Sequence, residues 1–268
     1  MTRIAEPAPA KLNLALHVRG KLADGRHAIE TIFAFCVDGD RVDAEASDDD
    51  LSLEVNGPFA DALAGENLVL RAAGALRAAA GIERGAALIL TKKLPVASGI
   101  GGGSADAAAA LRLLTRLWNI DPAHATAVAP SLGADVPACL LSLTARGEGV
   151  GDSLQLVDDP RIAGAPVLLV NPRVQLSTGN VFAAWDGVDS GPLGDWREGR
   201  NDLEAPARAL VPQIGEVLDW LAARPGANFV RMSGSGATCF ALFDDEQARD
   251  AAAAACPESW WHLPSFLR

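Results

Sequence analysis

The chain has 268 residues, enough for one large domain or two modest ones, and with 49% apolar and 21% charged residues it has the balance of a soluble globular protein. Its 23 Lys and Arg against 34 Asp and Glu leave a net charge of -11, which argues against a general nucleic-acid binder, because phosphate-backbone affinity comes from clustered cations. Arg3, Glu6, Pro7 and Pro9 break up the N-terminal stretch, and Asp106, Arg112 and Arg116 break up the alanine-rich stretch 105–118, so neither a signal peptide nor a membrane span is expected.

Leu12, Leu14, Leu16 and Val18 alternate with Lys11, Asn13, Ala15 and His17, which predicts a half-buried strand with Lys11 and Asn13 on its opposite face. Asp24-Gly25 marks a turn. Strands are expected at 40–46, 51–56 and 86–92, with helices at 67–80, 103–118 and 121–132, the last opened by Asp121 as cap and Pro122 as first residue. A charged turn at Asp158-Asp159-Pro160 precedes a new apolar strand, Pro166–Val170, and suggests a boundary between domains at 1–158 and 159–268. Residues 186–201, rich in Gly, Asp and Trp, read as a long surface loop, and Met232–Thr238 as a glycine turn leading into the strand Cys239–Phe243. Mixed strands and helices place the chain in the α/β or α+β class. Cys36, Cys139, Cys239 and Cys256 are scattered among apolar neighbours with no Cys-x-x-Cys pair, which predicts buried free thiols in a reducing cytoplasm, with no metal site or disulfide framework.

The strongest chemical signal lies between Leu94 and Leu111. Gly99 and Gly101–Gly103 let backbone N–H groups converge, and the helix that follows adds unpaired donors and a partial positive charge, so the loop is expected to bind phosphate, most simply that of a nucleotide. It is not a Walker A loop, because no Gly-Lys-Ser/Thr follows, and Gly-x-Gly-x-x-Gly counted from Gly99 or Gly101 ends on Ser104 or Asp106. No Gly-x-Ser-x-Gly frames Ser104 or Ser235, which argues against a serine hydrolase. Among charged residues, Asp135 stands alone in an apolar run and reads either as a helix N-cap or as a functional carboxylate. Taken singly, Lys11 reads as a solvated strand residue and His27 as a turn residue.

Taken together these segments form a set. Pro9-Ala10-Lys11-Leu12-Asn13-Leu14, Leu94-Pro95 through Ser98-Gly99 to Gly101-Gly102-Gly103-Ser104, Gly133-Ala134-Asp135-Val136-Pro137 and Ser233-Gly234-Ser235-Gly236-Ala237-Thr238 resemble the GHMP small-molecule kinase superfamily. Ala23-Asp24-Gly25-Arg26-His27, Glu66-Asn67-Leu68 and Glu148-Gly149-Val150-Gly151-Asp152 resemble its branch acting on a cytidine-diphosphate-linked methylerythritol in non-mevalonate isoprenoid synthesis. The resemblance implies an α+β fold with an N-terminal domain like ribosomal protein S5 domain 2 and a ferredoxin-like C-terminal domain, the substrate lying in the cleft between them. It implies transfer of the γ-phosphoryl of ATP to the 2-hydroxyl of that small molecule, with Lys11 and Asp135 as the catalytic pair. ATP is expected on Pro95, Val96, Ala97, Ser98, Gly99, Ile100, Gly101, Gly102, Gly103, Ser104 and Ala105, with Asn67 and Lys93 near its base. Asn13, Arg26, His27, Val150, Thr178 and Phe182 are the matching substrate positions, and Ser104 is a candidate ligand for Mg²⁺.

Phosphoryl transfer suits such a set, since its loose transition state asks mainly for alignment and charge neutralisation, and a weak base such as Asp135 suffices to take a late-departing proton. One position departs from the pattern: the family commonly has Tyr where this chain has Arg26, and the chain contains no Tyr. The Arg26 guanidinium is a substitute that can stack on cytosine opposite Phe182. Other superfamily kinases acting on mevalonate, homoserine or a sugar stay open as alternatives, against which Asp24–His27 argues. A non-catalytic nucleotide-binding regulator also stays open, although it need not keep both Lys11 and Asp135.

Overall fold

The protein is described by a computed structural model covering residues 3–48, 50–63, 65 and 67–268; Glu66, quoted above in a motif, lies outside the described residues. The elements in chain order are β1 (Ile4–Lys21), β2 (His27–Ser47), β3 (Leu51–Asn56), α1 (Leu68–Ala80), β4 (Gly85–Thr91), α2 (Gly102–Trp118), α3 (Pro122–Leu132), α4 (Val136–Leu141), β5 (Ala145–Glu148) and β6 (Ser153–Leu156). They continue with β7 (Pro166–Asn171), α5 (Thr178–Ala183), α6 (Glu204–Leu210), α7 (Gln213–Ala222), β8 (Ala227–Met232), β9 (Cys239–Phe243), α8 (Glu246–Ala254) and β10 (Trp261–Phe266). This is an α+β chain. It divides into two compact units, one made of the chain up to Ala10 with Asp38–Val96 and Gly101–Ser142, the other of Lys11–Val37, Ala97–Ile100 and Leu143–Arg268.

In the first unit the second half of β2, Arg41–Ser47, runs antiparallel to β4, and β3 lies parallel to β4 on its other side. Helices α1, α2, α3 and α4 pack on one another. The small residues Ala107–Ala110 are fully buried on α2, and Ala72 and Ala73 on α1, which lets the helix axes approach closely. Local chemistry sets the helix ends: Asn67 caps α1 by accepting from Val69 N–H at 2.8 Å, and Asp121 caps α3 by accepting from Ala123 N–H at 2.8 Å, with Pro122 at the first position as expected.

In the second unit the first half of β2 pairs with β5 (Thr31–Phe33 against Ala145–Gly147), and β5 and β6 form a hairpin. A four-stranded antiparallel sheet of order β10-β7-β9-β8 carries α7 and α8. Its core gathers Leu168 and Val170 of β7, Cys239 and Ala241 of β9, Ile214, Val217 and Leu221 of α7, and Leu16 and Val18 of β1. The turn Asp158–Pro160 lies inside this unit.

Two expectations about strands are corrected. β1 is buried on both faces from Ala8 to Val18, so Lys11 and Asn13 are not on a half-solvated face. The strand expected at 40–46 is the end of a much longer one that begins at His27, whose residues 31–36 are buried without alternation and so carry no period-2 signal. Residues 186–200 form no regular element, as read, yet they are tied down: His17 Nδ1 pairs with Gly191 O at 3.1 Å, Arg146 donates to Leu193 O at 2.8 Å, and Arg231 donates to Trp196 O at 2.9 Å. All four cysteines are free, three of them buried. Among the described residues no helix is long and apolar enough to cross a membrane.

Candidate active site

The glycine loop is built by two different devices. At its centre Gly99 has φ +77°, and a Cβ there would lie 2.5 Å from Ser233 O and 2.6 Å from Gly236 O, so the backbone of the second glycine turn presses directly on the first. Gly234, at φ +55°, faces Gly99 O in return, where a Cβ would sit at 2.9 Å. Side chains and main chain fasten the contact: Thr238 N–H donates to Ser98 O at 3.1 Å, Ser233 Oγ donates to Gly99 O at 3.0 Å, and Asn201 Nδ2 donates to both Met232 O and Gly234 O at 2.8 Å. The turn between β8 and β9 is therefore the seat of the first loop.

Where the loop enters α2 the reason for glycine changes. Gly101, at φ +64°, is the N-cap, and no side chain makes a cap hydrogen bond. The first N–H groups of α2, those of Gly102–Ser104, thus receive no cap from the side chain at the N-cap position. Gly103 is exposed and Ser104 half-buried. Gly102 is glycine for an inward reason: its Cβ would point at Lys92 Nζ, 3.0 Å away.

Lys92 lies at the end of β4, only 1% exposed, and donates to Asp40 Oδ2 at 2.5 Å and to Asp106 Oδ2 at 2.6 Å. Burial pulls its pKa down; the carboxylates of Asp106 and Asp40 outweigh that and hold the amine above its ordinary value. Burial pushes the Asp106 carboxyl above its ordinary value, Lys92 offsetting part of the effect, and its Oδ1 has no hydrogen-bond partner among the described residues. Sequence reasoning singled out the neighbouring Lys93, which is exposed, and missed Lys92. The signal was there: Ala86, Leu88 and Leu90 are the buried face of β4, and Lys92 falls in phase with them.

Lys11 is 3% exposed, and its ammonium donates to Asn13 Oδ1 at 2.8 Å and lies 5.4 Å from the Phe33 ring centroid. Asn13 Nδ2 donates to Thr31 Oγ1 at 2.8 Å, and that hydroxyl donates to Ala15 O at 2.6 Å. Asn13 N–H donates to Ser233 Oγ at 3.2 Å, and Lys11 N–H donates to Ile100 O at 3.0 Å. One polar chain therefore links Lys11, Asn13 and Thr31 to the glycine loop. Asp135 stands at the N-cap position of α4, in helical backbone geometry, and makes no cap hydrogen bond. Of the two readings the sequence left open, the structural cap is the one its geometry disfavours.

Of the residues expected at the base pocket, His27 and Phe182 come together. Arg26 turns into the Asp24-Gly25 turn, donating from Nε to Asp24 Oδ2 at 2.8 Å, with its side chain 62% exposed. It is His27 whose ring lies on Phe182, with centroids 4.7 Å apart and planes at 25°, while Trp185 meets the His27 ring edge-on at 5.8 Å. Burial, and then Lys21, lower the His27 pKa, favouring a neutral ring. Thr178 Oγ1 pairs with Ser235 Oγ at 2.9 Å. Val150 lies in the tight turn between β5 and β6, whose Gly149 O accepts from Ile29 N–H at 2.7 Å. Trp185 was not foreseen, although its i, i+3 spacing from Phe182 puts the two on one side of a helical turn.

Comparison with known proteins accords with this geometry. The model of the GHMP kinases N terminal domain matches residues 67–142, and that of the GHMP kinases C terminal matches 189–261. The 4-diphosphocytidyl-2-C-methyl-D-erythritol kinase of Rhizorhabdus wittichii is 58% identical over 98% of this chain and 94% of its own length. The chain belongs to that family of GHMP kinases. The kinase of the same name from Novosphingobium aromaticivorans is 51% identical over 99% of this chain and 93% of its own length. A crystal structure of 4-(cytidine 5'-diphospho)-2C-methyl-D-erythritol kinase superposes with a TM-score of 0.85 at 33% identity, covering 98% of this chain and 99% of that one. The protein is thus a small-molecule kinase with the GHMP fold.

Proposed function

We propose that the chain phosphorylates the 2-hydroxyl of 4-diphosphocytidyl-2-C-methyl-D-erythritol with the γ-phosphoryl group of ATP, a step of non-mevalonate isoprenoid synthesis in the cytoplasm. The observation that carries this reading is the 58% identity to a kinase of that name along nearly the whole chain. The polar chain from Lys11 to Thr31, fastened to the glycine loop at Ile100, supports it.

In this reading the N–H groups of Gly102–Ser104 hold the phosphates at the positive end of α2. The acceptor hydroxyl gives up its proton to Asp135, a carboxylate not engaged in capping, as the phosphorus–oxygen bond forms. Lys11, held by Asn13 on a buried strand, supplies positive charge to the oxygens between which the phosphoryl group passes. Asn13 and Thr31 fix where that ammonium sits, and the aromatic group of His27, Phe182 and Trp185 takes the cytosine. Asn67 has its carboxamide oxygen committed to capping α1, so its NH₂ is the end that serves the adenine, with Lys93 beside the loop.

Among the described residues no group of three or more His, Cys, Asp or Glu is placed to hold a metal ion. A hard cation that draws most of its ligands from phosphate oxygens and water fits such a site, with the Ser104 hydroxyl as the protein donor. Mg²⁺ so held would neutralise charge on the phosphates. An ADP-release assay tests the assignment: turnover should require ATP, Mg²⁺ and the cytidine-linked substrate together. Comparable turnover with mevalonate or homoserine, or none with any of these alcohols, refutes it.

A further inference from the structure

The catalytic reading leaves unused the most deeply buried charged cluster of the first unit. Lys92 gives two of its three N–H groups to Asp40 and Asp106, and all three side chains are shut away from water. Asp40 uses its second oxygen to accept from the N–H groups of Lys93, at 2.5 Å, and Leu94, at 2.8 Å. Those two residues are the incoming flank of the glycine loop. Asp106 belongs to α2, whose first turn is the outgoing flank, and Gly102 lies on the ammonium itself. A single buried cation thus binds both flanks of the loop, one through each carboxylate.

Stability alone does not account for such a cluster, because an apolar trio of similar volume commonly serves a core as well or better. A buried ion pair does fix register, since its partners tolerate little displacement before a charge is left uncompensated. Phosphate held by helix-terminal N–H groups demands such fixed placement, the donors being useful only when they converge. We propose that Lys92, clamped by Asp40 and Asp106, is a positioning residue for the nucleotide's phosphates, holding the start of α2 in register with the strand that feeds the loop. The proposal rests on the reading that this loop binds phosphate.

Calorimetric titration of the full chain with ADP and with adenosine tests both layers. The wild type should bind ADP at least tenfold more tightly than adenosine; equal affinities would refute the phosphate loop, and the proposal with it. Lys92→Met should weaken ADP about tenfold or more while adenosine binding stays within about twofold. Asp106→Leu, which cuts one link and leaves Lys92 paired with Asp40, should weaken ADP in the same selective way and serves if Lys92→Met does not fold. Asp106→Asn keeps an oxygen for the ammonium and should restore ADP affinity to within about threefold of wild type. Equal losses for ADP and adenosine, or lowered melting temperatures with the ADP preference intact, would make the cluster merely structural and overturn the proposal.

Discussion

Replacing Asp135 by Asn separates the two roles a carboxylate can have at a helix start. Asn is as good an N-cap as Asp, but the test does not rest on that equivalence, because Asp135 makes no cap hydrogen bond to lose. A capping side chain contributes about 1 kcal/mol, which in a protein of this size corresponds to about 2–4 °C in Tm. With no cap bond in place, Asp135→Asn should not show the drop in Tm that loss of a helix cap produces. The chemical effect should be large: a positioned base contributes about 10²–10⁴ in rate, so kcat should fall by about a hundredfold or more, equivalent to about 2.7 kcal/mol in the barrier. KM for ATP should hardly move, since the variant changes no donor of the glycine loop. A coupled ADP-release assay gives kcat and KM, and a thermal melt gives Tm. Near-normal kcat together with a Tm lowered by several degrees in Asp135→Ala would refute the reasoning and make the residue structural.

Three further outcomes are expected. Phe182→Ala removes the ring that His27 stacks on, and should raise KM for the cytidine substrate by one to two decades, about 1–3 kcal/mol of lost base stacking, while KM for ATP stays put; an unchanged KM would place cytosine elsewhere. Gly99→Ala would bring a Cβ against the Ser233 and Gly236 backbone at a positive φ and should cost about 2–4 kcal/mol by chemical denaturation, whereas Gly25→Ala, also at positive φ but with nothing within 4 Å, should cost about 1 kcal/mol; equal costs would mean the two turns are not in firm contact. His17 is held below its ordinary pKa by burial, and its Nε2 accepts from Arg200 N–H while Nδ1 faces Gly191 O, so its stabilising effect is present above about pH 6.5 and is lost as pH falls through the lower folded value. The gap in unfolding free energy between wild type and His17→Phe should accordingly narrow from pH 7.5 to pH 5, and a constant gap would refute the assignment.

What the sequence made legible was local. Asp121-Pro122 states a helix start outright, and the glycines 101–103 mark the start of α2, each within one turn of chain. What stayed hidden depends on partners far along the chain. The alternation of Leu12, Leu14 and Leu16 reveals one buried face of β1, but the face bearing Lys11 and Asn13 is covered by Thr31, Phe33 and Ser233, which no pattern near residue 11 announces. Near the expected base pocket Asp24 captures the Arg26 guanidinium, and the next side chain along the strand, His27, lies on the Phe182 ring, a contact between distant segments that no local pattern announces. Lys92 continues the buried phase of β4, but a lysine ending an apolar strand is ordinarily solvated, so the period alone does not mark it as buried.

The backbone passes from one compact unit to the other at Ala10–Lys11, Val37–Asp38, Val96–Ala97, Ile100–Gly101 and Ser142–Leu143, so ancestry along this chain is not interchangeable by simple halves. Chimaeras between relatives should survive according to which blocks come from the same parent. The most telling block is the shortest. Residues 97–100 are flanked on both sides by the first unit, yet Gly99 presses on Ser233 and Gly236, so these four positions should inherit with 143–268 and not with their own neighbours in sequence.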